Sequence, residues 1–147
     1  MNANAQSPSL TVRQEVAAPP RELFDAWLDP DKLAKWMRPE DKIRSSITTD
    51  PRVGGEFEIL MQTPRGEIPH TGTYRKIDRP KRLAFTWNSD SAGCRNSLVT
   101  LDFNPAGRGT EVVLTHENLP SPQEAENHRK GWTRVLDQMS QVYEKDG

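Results

Sequence analysis

The sequence contains little of what a secreted or membrane-embedded protein needs. Its one cysteine, Cys94, cannot form a disulfide within the chain, which favours a reducing compartment. The apolar runs are only a few residues long, too short for a transmembrane helix. Residues 1–9 are polar and lack the basic and apolar regions of a signal peptide. We therefore expect a cytoplasmic protein that does not insert into a membrane.

The chain also lacks a dominant charge and a metal or cofactor motif. Its formal net charge is -1, so no basic field is present to attract nucleic acid. His70, His116 and His128 share no metal-ligand spacing, and Cys94 adds none, so we expect no metal site. The pair Gly54-Gly55 lies between strands without the lysine and helix of a phosphate loop, so no cofactor is predicted.

Apolar residues are scarce, at 33% of 147 residues, and must therefore be placed periodically if the chain is to fold. A chain of this length suits one domain. We expect residues 1–9 to be a disordered polar tail and residues 10–145 to form a single domain, because no repeat, low-complexity tract or linker interrupts them.

Most of the chain alternates with the period of a β-strand. Residues 10–16 form the first predicted strand, and two short helices follow, opened by Pro19-Pro20 and by Asp29-Pro30. Pro64, Gly66 and Pro69 mark one loop, and Gly72 suggests a bulge in one of the later strands. Residues 88–93 read as a polar loop, and Cys94, beside Gly93, is expected in a loop as well. The later strands are predicted at residues 43–48, 56–61, 71–77, 83–87, 99–103 and 112–116.

The end of the chain predicts one long amphipathic helix. Ser121 and Glu124 form a capping box with Pro122 at the first helical position. Apolar residues then recur at spacings of three and four over residues 122–144. The fold class is therefore α+β, with an antiparallel sheet of about six or seven strands curved over this helix. One helix does not cover a wide, bent sheet tightly, so we expect a cavity between them.

Several short stretches together resemble a known family. They occur in the family's order over roughly residues 10–143 and comprise Leu23-Phe24-Asp25-Ala26-Trp27 with Asp29-Pro30, the lone Trp36, Asp50-Pro51-Arg52-Val53-Gly54-Gly55-Glu56-Phe57, Gly72-Thr73-Tyr74, Arg82-Leu83-Ala84-Phe85-Thr86-Trp87, Gly109-Thr110 through Leu114-Thr115-His116, and Gly131-Trp132.

This pattern resembles the activator-of-heat-shock-protein-90-ATPase homologue family, within the START-like (SRPBCC, birch-pollen-allergen-like) superfamily. The resemblance implies a helix-grip fold that encloses an apolar cavity. The superfamily includes lipid and sterol carriers, antibiotic-sequestering proteins, polyketide cyclases and a chaperone-stimulating domain, so the fold alone does not imply one function.

The predicted ligand-binding residues share an inward position on the strands, on the long helix or on the second short helix. They are Trp36, Phe57, Ile59, Met61, Tyr74, Phe85, Trp87, Val99, Leu101, His116, Trp132, Leu136 and Met139.

The tryptophans and the polar members of this set leave alternatives open. Trp36 and Trp132 either grip a ring-containing ligand or fill space, whereas Trp27 is expected to be plain core. His116 is either a general base or a hydrogen-bonded structural histidine. Tyr74 points either into the cavity or out of the sheet.

Three functions remain open from the sequence. The leading hypothesis is a binding protein for a small apolar molecule, aromatic or polycyclic. The second is a cyclase, dehydratase or hydrolase in the same cavity, for which only His116, His128 and Tyr74 are plausible acids or bases and no catalytic residue is assigned. The third is a chaperone-associated module that acts through its surface.

Overall fold

The computed structural model describes residues 8–38, 44–89 and 93–146. In these ranges the elements, in chain order, are β1 (Leu10–Val16), α1 (Pro20–Ala26), α2 (Pro30–Leu33), β2 (Arg44–Thr49), β3 (Glu56–Thr63), β4 (Gly66–Asp78), β5 (Arg82–Ser89), β6 (Cys94–Ala106), β7 (Gly109–Glu117) and α3 (Pro122–Asp146).

The strands form one seven-stranded sheet in the order β1-β7-β6-β5-β4-β3-β2. Every neighbouring pair is antiparallel, and the sheet curls into a half-barrel. The long helix α3 crosses its inner face. Gln138 of α3 donates to the carbonyl of Trp36 (3.3 Å), and Ser140 donates to the carbonyl of Glu15 in β1 (3.3 Å). The α+β fold class and the long terminal helix predicted from the sequence are confirmed.

The helix starts follow from local sequence signals. The Asp29 carboxylate accepts from the Asp31 and Lys32 amides at the start of α2, as expected of an N-cap residue. The Ser121 hydroxyl accepts from the Glu124 amide (3.1 Å) at the start of α3. Proline occupies the first turn of α1 and α2 and begins α3, where its missing N–H costs nothing.

The strand β4 is longer than the sequence predicts, and its irregularity lies elsewhere. It begins at Gly66 rather than at residue 71, with Pro69 inside it. Its pairing with β5 starts only at Thr71, whereas its pairing with β3 covers residues 66–73. The first residues of β4 are thus an edge, where proline is tolerated. The register shift with β5 falls between Tyr74 and Lys76, not at Gly72.

Gly72 is required instead by a close approach. A Cβ atom there would lie 1.9 Å from the carbonyl oxygen of Thr86 and 2.4 Å from the ring of Phe57. The missing side chain therefore lets the aromatic ring of β3 pack against the backbone of β4.

Cys94 lies in β6 and is buried, although the sequence places it in a probable loop. Of the sequence predictions, the strand start at Ile43, the loop residues 90–92 and most of the polar tail lie outside the described residues. The part of the chain that the structure describes contains no helix long and apolar enough to cross a membrane.

Candidate functional site

A narrow apolar cleft lies between the inner face of β2–β5 and the segment that runs from the end of α1 to Met37. Its volume is about 10 Å³, which is close to the space that one water molecule needs. The residues that line it are Trp27, Leu33, Met37, Ile47, Thr49, Phe57, Ile59, Tyr74, Phe85 and Trp87.

The sheet wall of the cleft is a cluster of four aromatic rings. The ring centroid of Phe57 lies 5.2 Å from that of Phe85, 5.4 Å from that of Tyr74 and 6.3 Å from that of Trp87. Alternate residues on neighbouring antiparallel strands share a face, which brings these side chains together. Tyr74 therefore points inward, and burial raises the pKa of its hydroxyl, which keeps the phenol neutral.

The rest of the cleft lining comes from the segment between α1 and Met37 and from the edge of the sheet at β2. Leu33 and Met37 are four residues apart, and the Met37 amide donates to the Leu33 carbonyl (2.8 Å), so both face the same side of a helical turn. Trp27 donates its indole N–H to the sulfur of Met139 in α3 (3.2 Å). Ile47 lies on the edge strand β2, whose one strand partner among the described residues is β3.

Two buried nitrogen atoms near the sheet wall have no hydrogen-bond partner among the described residues. They are Nε1 of Trp87 and Nδ1 of His70, whose rings stack with their centroids 4.9 Å apart. Burial lowers the pKa of His70 to about 4, although the carbonyls of Ile68 and Ile59 oppose the shift. His70 is therefore neutral near pH 7, and its Nδ1 and the Trp87 indole N–H are unused polar groups.

His116 is the centre of a buried chain of hydrogen bonds. The Trp132 indole donates to its Nδ1 (3.0 Å). An indole nitrogen only donates, so Nδ1 accepts and Nε2 carries the proton. Nε2 then donates to the Ser97 hydroxyl (2.8 Å), which donates to the Trp87 carbonyl (2.5 Å). Burial, with His128 nearby, lowers the pKa of His116 to about 3. The geometry fits the structural interpretation of His116, because both ring nitrogens are engaged.

His128 and Cys94 lie beside this chain. The His116 and His128 rings meet edge to face, with centroids 5.2 Å apart, and the Cys94 sulfur lies 3.7 Å from Nε2 of His128. Burial raises the pKa of Cys94 to about 11, so the thiol is not an activated nucleophile. The described residues contain no group of three or more His, Cys, Asp or Glu side chains arranged to hold a metal ion.

The sequence does not predict this cluster, because Cys94, His116 and His128 lie on three different elements of the fold. One signal was available. His128 and Trp132 are four residues apart and so share a face of α3, and His116 is on the inner face of β7. The hydrogen bond between Trp132 and His116 follows when those two faces meet.

All thirteen residues predicted to bind a ligand are buried, but they do not share one space. Five of them line the cleft: Phe57, Ile59, Tyr74, Phe85 and Trp87. The other eight pack elsewhere in the core, namely Trp36, Met61, Val99, Leu101, His116, Trp132, Leu136 and Met139.

Trp27 differs from its expected role, since it lines the cleft as well as belonging to the core. The physical reason is the position of α3, which hydrogen-bonds to β1 and β7 through Arg129, Ser140 and Trp132. The helix α3 therefore covers that side of the sheet, whereas the cleft lies under the segment from the end of α1 to Met37.

Comparison with known proteins places this fold in a family. The sequence matches the family described as "Activator of Hsp90 ATPase homolog 1-like protein" over residues 17–144. Comparison with curated proteins finds no match.

Solved structures support the same assignment. A protein of Chromobacterium violaceum is similar at 26% identity, over 92% of this chain and 96% of that chain, with a TM-score of 0.83. An HSP90 activator from Plasmodium falciparum is similar at 26% identity, over 92% and 95%, with a TM-score of 0.73. An AHSA1-like protein from Aeromonas hydrophila shares the fold at 24% identity, over 95% and 94%, with a TM-score of 0.78. The chain therefore belongs to the family of Activator of Hsp90 ATPase homolog 1-like proteins.

Proposed function

We propose that this protein binds a small apolar, ring-containing molecule in the cytoplasm and holds it in the cleft between β2–β5 and α2. The observation that carries the proposal is the aromatic sheet wall, in which the Trp87 indole N–H is buried without a partner. Leaving such a group unpaired costs about 1–3 kcal/mol. A ligand that supplies an acceptor oxygen to this N–H recovers part of that cost.

The chemistry of the wall defines the ligand class. Phe57, Phe85 and Trp87 offer ring faces and edges for stacking, and most of the affinity comes from apolar burial. Tyr74 and Trp87 supply polar groups that orient the ligand. A flat ring system with one carbonyl, ether or hydroxyl oxygen satisfies both requirements. Met139 supports the cleft by accepting the hydrogen bond from Trp27, whereas Val99, Leu101 and Leu136 belong to the surrounding core.

Binding requires the cleft to widen, because about 10 Å³ is far below the volume of an organic molecule. Among the described residues, β3, β4 and β5 each have two neighbouring strands, whereas β2 has one. The Ser45 hydroxyl of β2 donates to the Met37 carbonyl, so β2 and the segment that ends at Met37 are joined and move together. The helix α2 has four residues, too few to be stable without its packing. We therefore expect Leu33, Met37 and Ile47 to move aside while the aromatic wall stays fixed.

Filling the cleft from its weaker wall is expected to block binding. The Ile47→Phe variant places a larger side chain on the cleft side of the edge strand, where partial exposure limits its effect on stability. We expect the affinity of this variant for the neutral fluorescent probe N-phenyl-1-naphthylamine to fall by roughly tenfold or more relative to the unchanged protein, since about 1.4 kcal/mol of lost binding free energy corresponds to one factor of ten. Fluorescence titration measures this. The matched control is Ser46→Phe, which adds the same side chain to the exposed face of the same strand. Equal affinity in the two variants would place probe binding outside the cleft.

A second candidate is stimulation of a chaperone ATPase. It is favoured by the family match and by the similarity to the Plasmodium falciparum HSP90 activator. The test is the ATPase rate of a purified Hsp90 with and without this protein. A saturable increase that Ile47→Phe leaves unchanged would assign the activity to the surface rather than to the cleft.

A further inference from the structure

A second concave site lies on the other side of α2, between the turn that joins β1 to α1 and the last turns of α3. Its volume is about 380 Å³, within the range of small-molecule sites. We call it the α2 depression. The residues that line it are Ala17, Ala18, Pro19, Glu22, Lys32, Lys35, Trp36, Val142 and Tyr143.

The floor of the α2 depression is aromatic and includes an unused donor. Trp36 is 1% exposed, and its ring centroid lies 6.0 Å from that of Tyr143 and 6.4 Å from that of Trp27. Its Nε1 atom is buried and has no hydrogen-bond partner among the described residues. Trp36 is part of the lining of the depression, so a ligand held there lies beside a donor whose pairing breaks no hydrogen bond of the free protein.

The rim of the depression is mainly cationic. Lys32 and Lys35 are exposed, and neither takes part in the ion pairs found among the described residues. Glu22 lines the other side. Lys32 also acts electrostatically on Asp25, but the carboxylate of Asp25 is already bidentate with Arg79. Two ammonium groups therefore face the depression against one carboxylate.

The same segment separates this depression from the apolar cleft. Leu33 and Met37 line the cleft, whereas Lys32, Lys35 and Trp36 line the depression. Residues 32–37 thus present opposite sides to two different spaces, as the helical spacing of their backbone hydrogen bonds requires. The two spaces differ in chemistry, since one is apolar and the other joins an apolar floor to a cationic rim.

We propose that the α2 depression binds a small aromatic carboxylate, independently of the ligand in the cleft. The carboxylate lies between Lys32 and Lys35 and accepts a hydrogen bond from the Trp36 indole, and the ring packs on Val142 and Tyr143. Two lysines and an indole N–H supply donors for a two-oxygen anion. The binding is weakened by salt, because exposed charges are screened.

The test uses benzoate as the probe and protein labelled with ¹⁵N at the tryptophan side chains. Benzoate is expected to shift the Trp36 indole signal, identified with Trp36→Phe, in a saturable way, and to leave the Trp87 signal in place. Uncharged benzamide is expected to bind roughly tenfold more weakly than benzoate. The Lys32→Gln/Lys35→Gln double variant is expected to bind benzoate roughly tenfold more weakly than the unchanged protein. In both cases the ion pairs with two lysines are lost, and these exposed pairs together contribute about one factor of ten in affinity.

The matched control is Lys81→Gln, which removes an exposed lysine from the turn between β4 and β5 and is expected to leave benzoate affinity unchanged. The proposal is overturned by a shift that does not saturate, by equal binding of benzamide and benzoate, or by unchanged affinity in the double lysine variant. It is also overturned if benzoate moves the Trp87 signal in place of the Trp36 signal, and that result leaves the proposed function of the cleft standing.

Discussion

Replacing Trp132 with alanine is expected to lower the free energy of unfolding by about 3–5 kcal/mol, as for other buried tryptophans. The side chain is 4% exposed, and its ring packs edge to face on Trp87 with centroids 5.0 Å apart. The substitution removes that packing and also leaves Nδ1 of the buried His116 without its donor. The measurement is urea denaturation followed by circular dichroism.

The Trp132→Phe variant separates the two contributions. It keeps most of the apolar area and removes the indole donor, so the expected loss is about 1–3 kcal/mol from the unpaired His116 nitrogen. A loss of less than about 1 kcal/mol in Trp132→Ala, below the range for buried large-to-small changes, would contradict the assignment of Trp132 to the core. Combined with weaker probe binding, that result would favour the ligand-contact interpretation of Trp132.

Acid is expected to destabilise the protein well above the range where carboxylates titrate. In the folded state the pKa of His116 is lowered to about 3 and that of His70 to about 4, both from 6.5. Between these values and 6.5, the unfolded chain binds protons that the folded protein does not, so stability falls as the pH falls. The stabilisation that these two neutral histidines provide is fully present above about pH 6.5 and is lost progressively below it. From pH 7 to pH 5 each histidine contributes a loss of about 2 kcal/mol.

The neighbouring groups and a variant control sharpen this test. His128 lies against His116 and near Glu124, and it opposes protonation of both His116 and His70. The His70→Gln variant is expected to lose about half of the pH dependence, because Gln does not titrate, and to keep the rest. Urea denaturation at a series of pH values measures it. Equal stability at pH 7 and pH 5 would show that neither histidine is buried in neutral form.

The sequence predicts the fold well where local signals and periodicity agree. Alternation predicted which residues of β3, β5, β6 and β7 face the core. The capping pattern at Ser121 predicted that α3 begins at Pro122, where the structure also has it begin. The family resemblance is confirmed. Pro69 and Cys94 were misplaced because the pairing of a strand end depends on its neighbours, which no local pattern reports.

The candidate site is less predictable, because it depends on how closely the layers pack. Alternation identifies inward-facing residues, and all thirteen predicted side chains are buried. It does not show that α3 closes onto β1 and β7, which fills the space around Trp132 and Leu136. Trp27 was expected to be core alone, yet it forms part of the cleft wall. The α2 depression joins residues 17–22, 32–36 and 142–143, and no sequence pattern relates them.

The most direct test of ligand binding in the cleft is one titration followed by NMR. The four tryptophan side chains report on different places: Trp27 and Trp87 on the cleft, Trp36 on the α2 depression and Trp132 on the chain of hydrogen bonds through His116. Protein labelled with ¹⁵N at the indoles is titrated with N-phenyl-1-naphthylamine, and Trp→Phe variants assign the signals. The proposed function predicts saturable shifts of Trp87 and Trp27, largest for Trp87 because its ring belongs to the aromatic sheet wall on which the rings of the probe stack. Saturable shifts of Trp36 alone, or shifts that grow in proportion to probe without saturating, would contradict it.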